Sequence, residues 1–144
     1  MYFSPSSDPF QPVPEVLEMA YEVFRFLLES GIGVTFVTKG RIPEGHRNLL
    51  AAHARLFQGR IGVTTLDPGV AAAFEPHAAP PEVRLAQAAE LIGTGVPVDA
   101  RLDPILPGLT DGDDCLEPLC AALARIGVRT IAASVLFSGP SSRC

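Results

Sequence analysis

Positive charge is the first thing in short supply. The 144 residues carry 11 Lys+Arg against 16 Asp+Glu, a formal charge of −5. That balance excludes a broad phosphate-binding surface, so nucleic acid would have to be held by something else. Cysteine is nearly as scarce, with three in all. Cys115 and Cys120 are five residues apart on an expected helix, which points them away from each other, and Cys144 is the last residue. No disulfide framework follows, and a reducing, cytoplasmic setting is expected. No cluster of cysteines and histidines is tight enough for a metal. No apolar run reaches the roughly 18 residues of a membrane span, and Met1-Tyr2-Phe3-Ser4-Pro5 is not a secretory signal. Those first residues read instead as a strand.

Apolar content is high at 47%, which argues for a packed core. Short β-branched runs alternate with longer amphipathic ones. Residues 33–38, 60–65, 96–102 and 130–136 read as strands. Residues 15–30, about 45–57, 82–94 and 114–126 read as helices. In the first helix Val16, Ala20, Val23, Phe24, Leu27 and Leu28 form one stripe, and Ser30-Gly31 closes it. Gly93, Gly95 and Gly127 sit where helix ends want a left-handed residue. Strand–helix alternation with short turns implies crossover connections and a parallel sheet, an α/β fold built of repeated strand–helix units. Residues 75–82, rich in proline, look like a loop between a short helix and a full one. The expected organisation is one domain over 1–137 with a loose end at 138–144.

In such folds the segments after the strands form the ligand face. Lys39 follows an apolar strand and precedes glycine, so its ammonium could pair with a carboxylate or phosphate, or simply meet water. Thr64 and Thr65 end the next strand, where one hydroxyl must point inward or both serve only strand propensity. Ser6, Ser7 and Asp8 could hydrogen-bond a polar ligand or form a turn. In Asp103-Pro104-Ile105-Leu106-Pro107-Gly108, two prolines around two apolar residues make either a stiff turn or a ledge for a flat ligand such as a nucleobase. His46 and His53 read as surface histidines, and His77 faces water. Asp111, Asp113 and Asp114 read as helix-capping residues rather than a calcium loop. There is no nucleophile elbow, Walker loop or dinucleotide-binding glycine pattern.

Taken in order, these segments resemble the radical S-adenosylmethionine proteins, and within them the spore-photolyase-like group of DNA repair photolyase homologues. The resembling stretches are Tyr2-Phe3-Ser4 with Ser7-Asp8-Pro9-Phe10-Gln11-Pro12 and Glu15; Val37-Thr38-Lys39; Gly62-Val63-Thr64-Thr65-Leu66-Asp67; Phe74-Glu75-Pro76 with Pro80, Pro81 and Arg84; and Arg101 through Asp111. The resemblance implies part of a (β/α)6 barrel of TIM type, with a [4Fe–4S] cluster and S-adenosylmethionine at the strand ends. It places Ser6, Ser7 and Asp8 beside the cofactor, Lys39 on its carboxylate and Thr64 close by. Ile105, Pro107 and Gly108 would lie under its adenine, and Glu75 and Arg84 would pair to brace a loop. A DNA substrate is implied by the family analogy alone.

The chain departs from that family in lacking its C-x3-C-x2-C cluster motif. Cys115 and Cys120 have the wrong spacing to replace it. The expectation is therefore a fragment that starts at the family's third strand, keeps the S-adenosylmethionine-binding strand ends and is inactive alone. A non-catalytic binding or scaffolding relative stays open. So does an unrelated barrel enzyme using Lys39 as a Schiff-base or phosphate residue, with Asp67 or Asp103 as its partner.

Overall fold

The computed structural model describes residues 1–2 and 7–136. Ser6, Cys144 and the expected loose end at 138–144 lie outside them. The order is α1 (Pro14–Glu29), β1 (Val34–Thr38), α2 (Glu44–Ala52), a 3₁₀ turn (Ala54–Leu56), β2 (Phe57–Gly62), α3 (Pro68–Phe74), α4 (Pro81–Gly93), β3 (Val98–Ile105), α5 (Asp113–Arg125) and β4 (Ile131–Val135). The four strands form one sheet in sequence order, β1-β2-β3-β4, and every pair is parallel. Ahead of β1, Tyr2 bridges Thr35 in parallel, and the Met1 amino group donates to the Gly33 carbonyl.

Helix ends follow one local rule. Pro14 and Pro81 start α1 and α4 at a position where the missing N–H costs nothing. Gly31, Gly95 and Gly127 stand just past α1, α4 and α5 at φ of +74°, +89° and +98°. In each case the next residue's N–H reaches back to a carbonyl in the last turn: Ile32 to Leu27, Val96 to Leu91, Val128 to Leu123. This is the Schellman ending, in which a left-handed glycine lets the chain turn back. Gly93, by contrast, is the last residue of α4 and has no positive φ.

Several boundaries differ from the sequence reading. The helix expected to reach residue 57 stops at Ala52, and β2 begins at Phe57 rather than Arg60. Phe57 is a buried aromatic that stands directly opposite Val34, so pairing and packing overrode helical periodicity. β3 runs on to Ile105, three residues further than expected, with a cis Asp103–Pro104 peptide inside it.

Strand alternation sorts the sheet into two unlike faces. Val34, Phe36, Phe57, Ile61, Val98, Ala100 and Leu102 point to one of them and join a single core. Phe24 and Leu28 of α1, Leu50 of α2, Ala88 and Leu91 of α4, and Leu119 and Leu123 of α5 complete that core. The opposite face carries Thr35, Val37, Gln58, Arg60, Asp99 and Arg101, all only partly buried. There Gln58 donates to Asp99 at 2.7 Å, and the Arg60 guanidinium sits 5.7 Å over the Tyr2 ring. A parallel sheet is normally covered on both faces. Here the helices cover one face, and the other is lined by partly buried polar side chains. β4 is exposed along its whole length, including Ile131 and Val135.

His46 corrects its sequence reading. It is buried between α1 and α2, not on the surface. Its Nε2 lies 3.0 Å from the Leu17 carbonyl, and its ring meets Phe10 and Tyr21 edge-on. Its neighbours are aromatic, so residue type alone could not reveal the burial.

Candidate functional site

The C-terminal ends of β1 and β2 converge on one carboxylate, Glu75, carried on the short segment after α3. Lys39, directly after β1, pairs its Nζ with Glu75 Oε1 at 2.7 Å and donates to the Asp103 carbonyl at 2.8 Å. Thr64, just after β2, lies 3.4 Å from Glu75 Oε1. Arg84 of α4 pairs with Glu75 Oε2 at 2.6 Å. Arg84 is 1% exposed, and its Nε and Nη1 also donate to the Ala79 and Gly62 carbonyls. A buried guanidinium is tolerated when it is paired with a carboxylate and hydrogen-bonded. Burial pushes the Glu75 carboxyl upward, but the hydrogen bonds and charges of Lys39 and Arg84 outweigh it, leaving it below its ordinary 4.5.

Lys39 reaches this hub because Gly62 leaves room. A Cβ at Gly62 would stand 2.6 Å from Lys39 Cγ and 2.9 Å from Cε. The lysine stem therefore lies across the end of β2. An ammonium has three donors, and the contacts to Glu75 and Asp103 use two. The Lys39 side chain stays 31% exposed, so its third donor is open to a ligand. It borders a cleft of about 290 Å³ with Tyr2, Val37, Gly62, Arg101 and Asp103. That is at the lower edge of ordinary small-molecule sites, roughly 300–1,000 Å³. Arg101 pairs with Asp103 Oδ2 at 2.7 Å. The Ser134 hydroxyl also donates to Asp103, and with Arg101 it holds that carboxyl below its usual range.

The other expected site residues sit around this centre in varied roles. Asp8 clasps the chain itself, accepting from the Phe10, Lys39 and Gly40 N–H groups and from the Thr38 hydroxyl, at 2.7–3.0 Å. The loop is tight enough that a Cβ on Gly40 would meet the Phe10 carbonyl at 2.6 Å. Ser7 is exposed and neighbours Asp8. Ile105 ends β3, and the following turn is closed by Leu106 N–H to the Thr110 hydroxyl and Gly108 N–H to Asp111, both at 2.8 Å. Pro107 and Gly108 are exposed on that turn, with Gly108 at φ +75°. Asp111 thus stabilises the turn, while Asp113 and Asp114 occupy the first turn of α5 without a side-chain cap. Asp67 caps α3, accepting from Gly69 and Val70. Lys39 lies in an ion pair rather than a dry apolar pocket, which is not the setting of a Schiff-base lysine.

A [4Fe–4S] cluster does not fit the residues present. Among the described residues no three His, Cys, Asp or Glu side chains come together as a metal site, and Cys115 and Cys120 are free on α5. No described helix is long and apolar enough to cross a membrane.

The four-stranded parallel sheet alternating with helices matches, as a fold, part of a radical S-adenosylmethionine barrel-like domain. SuiB and a domain of pyruvate-formate lyase-activating enzyme, both radical S-adenosylmethionine enzymes, are among the solved structures that share it. SuiB of Streptococcus suis is 12% identical and superposes with a TM-score of 0.64 over 85% of this chain and 27% of SuiB. SuiB bound to S-adenosylmethionine gives 0.63 over the same shares, again at 12% identity. SuiB bound to its precursor peptide SuiA gives 0.64 at 13% identity, over 81% of this chain and 25% of SuiB. A domain of pyruvate-formate lyase-activating enzyme from Bacteroides vulgatus ATCC 8482 gives 0.56 at 12% identity, over 95% of this chain and 98% of that domain. At such identities the likeness is one of fold, and this chain spans about a quarter of SuiB. No family model and no curated protein matches the sequence.

Proposed function

We propose that this chain forms the S-adenosylmethionine-holding strand ends of a radical S-adenosylmethionine barrel and is inactive by itself. The observation that carries the reading is Lys39, an ammonium fixed by Glu75 and Asp103 with one donor left over, beside a cleft at the strand ends. Lys39 would take the cofactor's carboxylate, Thr64 would lie close by, and the turn at Ile105, Pro107 and Gly108 would lie under the adenine. Asp8 holds the loop before them, and Ser7 and Ser6, which precede it in sequence, would lie beside the cofactor. When bound and reduced by a cluster, S-adenosylmethionine supplies a carbon-centred radical that abstracts hydrogen. This chain's share is to position the cofactor and exclude water. The cluster's thiolates have to come from residues other than Cys115 and Cys120. The spore-photolyase-like assignment, and with it any DNA substrate, rests on the strand-end motifs. A cytoplasmic location fits the free thiols.

Calorimetric titration of the full chain with S-adenosylmethionine tests this reading. Binding is expected, and Lys39→Ala should weaken it by ~1–3 kcal/mol, the range for a lost charged hydrogen bond. An affinity indifferent to Lys39→Ala, or no binding by the unaltered chain, would overturn the assignment.

A further inference from the structure

The outward face of α1 is unusual for a surface helix. Glu15, Met19, Glu22, Phe26 and Glu29 follow one another at spacings of four, three, four and three residues, so they form a single stripe along the helix. The stripe lies opposite Ala20, Phe24 and Leu28, which face the core. Met19 is 62% exposed and Phe26 68%, two turns apart. Scattered apolar side chains on a surface need no explanation, but two large ones at a coiled-coil repeat, each flanked by acids, form a pattern. α1 holds four glutamates and one arginine, a charge of −3. Among the described residues Glu22 pairs with Arg25 beside the stripe, and neither Glu15 nor Glu29 belongs to an ion pair.

We propose that this face docks an amphipathic basic helix of a partner protein, with apolar residues seated beside Met19 and Phe26 and Lys or Arg against Glu15, Glu22 and Glu29. Charge selects among the possible occupants. A second copy, packed antiparallel about Glu22, would bring Met19 near Phe26 but would also set Glu22 on Glu22 and Glu15 on Glu29. An anionic membrane or a nucleic acid is repelled by the same glutamates. A basic helix satisfies both components, because its cations neutralise the acids while its apolar stripe covers the exposed side chains. The contact length is modest: Glu15 to Glu29 spans about 21 Å at 1.5 Å rise per residue.

The test uses the full chain and two synthetic helical peptides, one alternating Leu and Lys at the facing positions and one alternating Leu and Glu. Fluorescence anisotropy should show saturable binding of the Leu–Lys peptide, weakening as salt is raised from ~0.1 M to ~1 M and the screening length falls from about 10 Å to 3 Å. Met19→Ser with Phe26→Ser leaves the charge unchanged and should weaken binding about tenfold or more, the loss expected for a central aromatic anchor. Glu15→Gln with Glu22→Gln and Glu29→Gln should weaken it as well. Binding indifferent to the serine pair would reduce the effect to unspecific attraction between opposite charges and overturn the proposal. Equal binding of the Leu–Glu peptide, or no binding at all, would also overturn it. So would a neutral-pH dimer in sedimentation that the serine pair abolishes, since the occupant would then be a second copy.

Discussion

Glu75 does at the residue scale what no single motif announces. One carboxylate pairs with both Lys39 and Arg84, which come from different parts of the chain, and so ties the loop after α3 to β1 and α4. Removing it leaves Arg84 buried without its counter-charge, a change that typically costs ~3–5 kcal/mol. Glu75→Ala should therefore lower the urea midpoint by a corresponding amount. The sign of the pH effect follows from the depressed pKa. The unfolded carboxyl takes up its proton first, so the stability Glu75 supplies is complete above its ordinary 4.5 and is lost as pH falls below it. Acid titration of Glu75→Gln should show a shallower loss there than the unaltered chain. Gly62 offers a separate test, because its missing Cβ is filled by the lysine stem. Gly62→Ala should push Lys39 off its partners, weaken S-adenosylmethionine binding in calorimetry and lower the melting temperature by less than Glu75→Ala does, since Arg84 keeps its counter-charge. An unaffected affinity would mean the stem has another route. The Glu75–Arg84 pairing is implied by the family resemblance rather than by residue type, and Lys39 read alone could equally have met water. The role of Gly62 was not legible at all, because only the register of β1 on β2 brings it under Lys39.

Among the elements, α1 and α2 are clasped through His46, whose ring fills the seam between Phe10 and Tyr21. Burial lowers its pKa from the ordinary 6.5, although the Leu17 carbonyl favours the charged form. The unfolded chain therefore binds the proton first, and stability should decline as pH falls below about 6.5, well above the Glu75 range. Melting curves between pH 7.5 and 5 should show that decline in the unaltered chain and not in His46→Gln. The variant should be less stable throughout, because it loses the ring contacts. The helices themselves were legible, since glycine after each of α1, α4 and α5 marks its end through a left-handed turn. Strand boundaries were less so. Phe57 suits a helix end or a strand start equally well, and its partner Val34 lies 23 positions earlier, beyond the reach of any local pattern.

For the molecule as a whole, alternation along four parallel strands predicts the layered α/β fold, but not that all the core helices share one core on one side of the sheet. That asymmetry follows from the register, which lines Phe36 up with Gly59 and Gly59 with Val98 across the strands. It leaves β4 open, with Ile131, Val135 and Leu136 all at least 41% exposed. An apolar, unpaired strand edge invites pairing with other chains. Sedimentation across a range of concentrations should show association, and Ile131→Lys with Val135→Lys should suppress it. A monodisperse unaltered chain would show that the edge is protected in some other way.

The same sheet has a longer consequence. Neighbouring residues on a strand answer to different demands: Phe36, Ile61 and Ala100 keep the chain folded, while Val37, Gly62 and Arg101 border the cleft. A lineage could therefore rewrite every second position to accept a new ligand while the intervening ones hold the architecture constant. Distant relatives of such a chain would keep its shape long after their sequences had ceased to look alike.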